Sequence, residues 1–150
     1  MTTRGYAAYQ HSVTHTTQRK DDILMQLYDG ALNFVRLAQR AVATRQLAAK
    51  GEQISKAIAV ISELDCALEH EIGGEITANL SRLYHYMIDR LTYANIHHDP
   101  AALDEVNDLI GQLRQAFAAA IQEQLTLPPG PETLLETASK IHSTGLDVAI

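Results

Sequence analysis

The sequence predicts an all-α fold: an antiparallel four-helix bundle with a flexible N-terminal leader and material for one short extra C-terminal helix. Three observations carry this expectation. Apolar residues recur at steps of three and four in four long segments, the signature of one helix face. Aromatic residues make up 5% of the chain, Trp is absent, and Ala and Leu carry the apolar content, which favours helix over β-sandwich. No segment alternates with period two over a useful length, so no sheet is expected. At 150 residues the chain is one domain's worth. A chain of this size buries roughly 68–70% of its extended surface, so it needs neither disulfide nor metal to fold.

Proline occurs only at 100, 128, 129 and 131, so no ring interrupts a helix in the first 99 residues. Gly51 and Gly73-Gly74 do the earlier punctuation. The chain divides into a leader over 1–18, a helical bundle over 19–124, and a Pro-rich hinge with a tail over 125–150.

The leader is polar and carries Tyr6, Tyr9 and Val13. It reads either as a disordered segment or as a strap that lies in a groove between helices and can be displaced. Tyrosines suit the second role, because each buries a large apolar area and keeps one polar end. The first helix is expected over 19–43, with Ile23, Leu24, Leu27, Tyr28, Ala31, Leu32, Val35, Ala38 and Val42 on one face. Thr17 is its candidate N-cap, and Asp21 and Asp22 suit the positive end of the helix dipole. Gly30-Ala31 is a small pair that would let another helix approach closely. The second helix is expected over 52–71, with Ile54, Ile58, Ile61, Leu64 and Leu68 facing inward and Gly73-Gly74 near its stop.

The third helix is expected over 75–96, with Ile76, Leu80, Leu83, Tyr84, Met87, Ile88 and Leu91. Successive helical residues point about 100° apart, so Tyr84 and Tyr86 cannot share one narrow stripe. This helix is either central and covered on two sides, or one of its sides is a docking groove. Asp99-Pro100 is a strong start signal for the fourth helix, expected over 100–124. Pro128-Pro129-Gly130-Pro131 ends it, and Leu134, Leu135, Ala138 and Ile141 outline a short further helix over 132–144.

Little points to catalysis. Seven histidines invite a metal site, but none has Glu three residues before it, as a carboxylate di-iron bundle requires. His97-His98 lies in a turn, and His85 with Asp89 supplies two ligands at most, so no metal or other cofactor is expected. Cys66 sits among apolar positions with nothing basic within a turn, and is expected to be a buried, inert thiol. No serine lies in a nucleophile elbow, and no Gly-rich phosphate loop is present. A net charge of −6 without a basic stripe argues against nucleic acid as the main ligand. The longest stretch free of charge, 5–18, is polar, so neither membrane insertion nor a secretory signal is expected. A single cysteine fits a reducing compartment. What remains is surface, and with it protein recognition.

Several segments, taken in order, resemble one family. Gly5-Tyr6-Ala7-Ala8-Tyr9-Gln10 is similar to the Tyr-containing leader of the FliS family of flagellar secretion chaperones. Leu27-Tyr28-Asp29-Gly30-Ala31-Leu32-Asn33-Phe34 resembles that family's Leu-Tyr-x-Gly-Ala-x-x-Phe segment. Gly73-Gly74-Glu75-Ile76, Asn79-Leu80, Leu83-Tyr84-His85-Tyr86-Met87 and Leu91-Thr92-Tyr93-Ala94-Asn95 resemble its third-helix block. Glu105-Val106 and Leu113-Arg114-Gln115-Ala116-Phe117 resemble its last bundle helix. Thr17-Gln18-Arg19-Lys20 departs from the family's Ser-Pro-Glu-Glu, His85 stands at an Asp position, and Phe117 stands at a Trp position. The tail from 125 onward has no counterpart in that pattern.

The resemblance implies a bacterial cytosolic chaperone, not an enzyme. It implies binding to the C-terminal segment of flagellin, protection against premature polymerisation, and delivery to the flagellar export gate, with contacts to flagellar regulatory proteins. It places the client groove at Tyr28, Gly30, Ala31, Phe34, Leu80, Leu83, Tyr84, Met87 and Asn95, and a strap or export-gate contact at Tyr6 and Tyr9. The competing reading is a generic helical interaction or regulatory module with another partner. Monomer and homodimer are both compatible with the sequence.

Overall fold

The computed structural model describes residues 2–126, with side chains from residue 4 onward. Among the described residues there are four helices and no strand: α1 (Thr2–Ala43), α2 (Leu47–Cys66), α3 (His70–His97) and α4 (Pro100–Thr126). The expected short helix over 132–144 lies outside the described residues. The helices form an antiparallel bundle in which α1 packs on α2 and α4, and α3 packs on the same two. Polar ties fix the pairings. Gln39 donates to Asp104 Oδ1 at 2.7 Å and Arg114 pairs with Asp29, both between α1 and α4. Ser81 donates to Asp65 Oδ1 at 2.6 Å between α3 and α2, and Arg90 pairs with Glu105 at 3.0 Å between α3 and α4.

The core is aliphatic. It runs through Val35, Ile54, Ile61, Leu64, Met87, Leu91, Leu103, Val106, Ile110 and Leu113, with Ala31, Ala38, Ala57 and Ala94 where helices close on one another. Nearly all of the expected inward faces are buried or half-buried; Ile23 is the exception, half exposed at one end of the bundle.

Three boundaries differ from expectation. First, α1 starts at Thr2, so the leader is helical and continuous with the first bundle helix. Thr17 is therefore no N-cap: its hydroxyl donates to the Val13 carbonyl inside the helix, and Thr14 and Thr16 do the same one turn back. The leader does not lie in a groove, since every described side chain from Arg4 to Lys20 is exposed.

Second, α2 runs 47–66 rather than 52–71. Its start follows a reversal in which Arg45 takes a left-handed φ of 56° and Gln46 N–H bonds the Ala41 carbonyl at 2.8 Å. That closure satisfies end carbonyls of α1 without the usual glycine, so no glycine marked it. Third, Gly73-Gly74 does not stop α2. Gly74, at φ 53° and ψ −124°, breaks α3 one turn after its start. Gly73 is packed so closely on Thr77 that a Cβ there would fall 1.5 Å from its hydroxyl oxygen.

The start of α4 agrees with the sequence, with the Ala101 amide donating to Asp99 Oδ1 at 3.0 Å. The opposite end of the preceding helix is closed by His98 in the left-handed region and by Lys50. This lysine is buried to 3% exposure, and its ammonium donates to the Asn95 carbonyl at 2.8 Å and to His98 Nδ1 at 2.5 Å. A cation at a helix C-terminus opposes the negative end of the dipole.

Candidate functional site

The residues singled out for a groove are mostly bundle interior. Tyr28 (0% exposed) and Tyr84 (1%) face each other across the bundle diagonal, their hydroxyls 2.5 Å apart. Tyr28 also stacks on Phe117, with ring centroids 5.6 Å apart. Burial raises both phenol pKa values above the ordinary range, because an ionised phenolate would be stripped of water. The two rings therefore stay protonated and form a neutral hydrogen-bonded tie between α1 and α3.

Ala31, Leu80, Leu83 and Met87 are likewise core residues and do not line a surface. Gly30, Phe34 and Asn95 are half-buried at helix seams. Phe34 lies under the Lys56 ammonium, 5.9 Å from its ring centroid, between α1 and α2. Asn95 reaches toward Gly51 on α2, near the end where Lys50 closes α3. Leu83, Tyr84 and Met87 are thus fold-forming in this state. The motif that selected them falls on core positions of α3.

The third helix is covered on two sides, by α2 and α4, and turns a third side outward. That side carries Tyr86 (43% exposed), Tyr93 (42%) and Ile96. Tyr86 donates to Glu105, and that carboxylate raises the Tyr86 pKa by accepting the phenolic proton's hydrogen bond. Arg90 pairs with the same Glu105 and lies 5.0 Å over the Tyr93 ring, which packs against His97 at 4.1 Å between centroids. Amphipathic rings, held by a guanidinium between them, form a preset contact surface. The sequence signal for it was the clash of phase between Tyr84 and Tyr86, which left the choice between centrality and a docking side open. Tyr6 and Tyr9 are exposed at 65% and 69%.

Among the described residues, no group of three or more His, Cys, Asp and Glu side chains could hold a metal ion. Asp65 accepts from Ser81 and meets His85 at 3.5 Å, a surface tie between α2 and α3. Cys66 is exposed, contrary to expectation. It is the last residue of α2 and lies two positions past core Leu64, so it points away from the bundle axis. Among the described residues, no helix is long and apolar enough to cross a membrane.

The family model described as flagellar protein FliS matches residues 2–124. The chain belongs to the FliS family. A Bacillus subtilis relative, named flagellar secretion chaperone FliS, is 35% identical over 119 residues, covering 79% of this chain and 87% of the relative. A Salmonella typhimurium relative of the same name is 41% identical over 96 residues, covering 63% of this chain and 71% of the relative. Pseudomonas aeruginosa contributes flagellar secretion chaperone FliSB, 40% identical over 95 residues, covering 63% and 75%. The FliS match bears out the resemblance read from the leader through Phe117. It stops two residues before the end of α4.

Proposed function

We propose that this protein is a non-enzymatic flagellar secretion chaperone acting in the bacterial cytosol. Its client is the C-terminal segment of flagellin, which it keeps from polymerising until delivery to the flagellar export gate. The observation that supports this reading most strongly is the FliS family match along α1 to α4. The geometry suits the role. A client that orders on binding loses about 2–5 kcal/mol or more of its gross contact energy, and must recover it from a large apolar contact. A long bundle with exposed tyrosines offers that contact along helix faces, as in helix-in-groove recognition.

Burial supports a division of roles among the candidate residues. Tyr28, Leu80, Leu83, Tyr84 and Met87 act by shaping the bundle. The client meets half-buried Gly30, Phe34 and Asn95 at the seams, and Tyr86, Tyr93 and Ile96 on the outer side of α3. Release proceeds by competition or by the export apparatus, and contacts with flagellar regulatory proteins use the same exposed faces.

The test is isothermal calorimetry with a flagellin C-terminal peptide, preceded by capture from a flagellated lysate. Expected are flagellin as the dominant prey, about one-to-one binding, and a large negative heat-capacity change. Tyr93→Asp with Ile96→Asp is expected to keep the helical circular dichroism and weaken binding at least tenfold. No binding of the peptide by the unaltered protein would overturn the reading. Unchanged affinity in the double variant would overturn the placement on α3.

A further inference from the structure

Residues 4–20 of α1 form a helical stretch with no buried side chain, tied at its base to the rest of the bundle by an ion pair. Its side chains from Arg4 to Lys20 are all exposed. Its sequence is poor helix material, with Gly5, Val13, three threonines, two histidines and a serine in that stretch. An isolated helix of this length is marginal even when it is rich in alanine. Yet it carries an ordered apolar stripe. Tyr6, Tyr9 and Val13 each precede Leu24, Leu27 and Ala31 by eighteen residues, or five helical turns. The stripe is therefore the core-facing side of α1, continued past the end of the bundle. At that end Ile23, Ile72 and Leu125 are exposed as well, and Lys20 reaches Glu69 at 3.8 Å.

The position of α4 indicates what covers it. Asp29 lies opposite Arg114 and Gln39 opposite Asp104. Carrying that antiparallel pairing to the end of α4 sets Thr126 beside Thr17–Arg19. The end of α4 thus lies next to the uncovered half of α1, and residues 127–150 follow it in the chain. Within them Leu134, Leu135, Ala138 and Ile141 follow helical spacing. Charge agrees: the ionised side chains of 4–20 are Arg4, Arg19 and Lys20, whereas 127–150 hold Glu132, Glu136 and Asp147 against one Lys140.

We propose that residues 132–144 of the same chain dock as an amphipathic helix on the Tyr6-Tyr9-Val13 face of α1. Five residues, 127–131, suffice to bring this segment from the end of α4 onto the stripe, and the proposed docking sets Leu134 and Leu135 against Tyr9. The docked segment holds the leader helical and hides its tyrosines from unintended partners. This inference does not depend on the chaperone reading.

Two measurements on the full chain test it. In a Cys66→Ser background, Tyr9→Cys with Leu135→Cys is expected to form an intramolecular disulfide under mild oxidation, seen as a faster-migrating monomer. A disulfide-linked dimer would assign the face to a second copy, and absence of any disulfide would leave it uncovered by the tail; either overturns the proposal. In the otherwise unaltered chain, Leu134→Asp with Leu135→Asp should speed amide hydrogen exchange over residues 6–17 at least tenfold, with α2 to α4 unaffected. Unchanged exchange there would refute the docking. Cys66 and Tyr9 are both exposed, so replacing them leaves the bundle core intact.

Discussion

The Tyr28–Tyr84 pair allows a double-mutant test whose outcome depends on coupling rather than on loss of packing. The two hydroxyls are 2.5 Å apart in a site that excludes water, and one donates to the other. Tyr28→Phe keeps the ring and its stacking on Phe117 but strands the Tyr84 hydroxyl. A buried polar group without its partner costs about 1–3 kcal/mol. Tyr84→Phe strands the Tyr28 hydroxyl at similar cost. Removing both hydroxyls removes the stranded group, so the double variant should lie within about 1 kcal/mol of the parent. Urea unfolding followed by helical circular dichroism measures all four corners. Alkaline titration adds an independent readout. Burial raises both phenols in the folded state, so above the ordinary tyrosine pKa the unfolded chain releases protons that the native state holds. Stability is then full below about pH 10 and falls as pH rises, by about 1.4 kcal/mol per unit for each tyrosine. The Phe/Phe variant should lose this slope apart from the part due to Tyr86, whose pKa is also raised. Additive single costs, or an alkaline slope unchanged in the double variant, would refute the argument.

Three further outcomes follow from the helix ends. Lys50→Met keeps the buried stem but removes the donor to the Asn95 carbonyl and His98, and should cost about 1–3 kcal/mol in urea unfolding. Gly74→Ala forces a Cβ onto a backbone with φ 53° and ψ −124°, and should lower stability by about 1–3 kcal/mol with the core unchanged. Arg45→Gly relieves a left-handed residue at the end of α1. The relief of about 1–2 kcal/mol, less the entropy glycine adds to the unfolded chain, should leave a gain of about 0.5–1 kcal/mol in thermal or urea unfolding.

The bundle was legible because its information is periodic. The inward stripes of Leu27 to Ala38, Ile54 to Leu64, Leu80 to Leu91 and Leu103 to Leu113 repeat at helical spacing, and Asp99-Pro100 is a start signal with a local cause. Boundaries without such a cause were not legible. The reversal at Arg45 uses a left-handed arginine where glycine is the usual sign, and Gly51 sits inside α2 rather than before it. The helix from Thr2 to Lys20 was hidden for another reason: its residues have low intrinsic helix propensity, and only its phase relation to Leu24, Leu27 and Ala31 betrays it.

The candidate contact residues show what motif matching can and cannot separate. Motif matching along α3 selects Leu83, Tyr84 and Met87, which are core, because a recurring motif marks positions that specify the bundle as readily as positions that touch a partner. The phase of the helix separates the two. Tyr84 and Met87 point inward, while Tyr86 and Tyr93, two and six positions further along from the buried partners, point to solvent. Opposite consequences follow for the same chemistry. Tyr84→Phe should alter stability and leave client affinity intact so long as the protein is folded. Tyr93→Asp should do the reverse, since its ring is 42% exposed and meets Arg90 and His97 of its own helix. Measuring unfolding and client binding on both variants therefore separates fold from contact. If both lost binding in proportion to their loss of stability, recognition would reside in the bundle as a whole rather than in the outer face of α3.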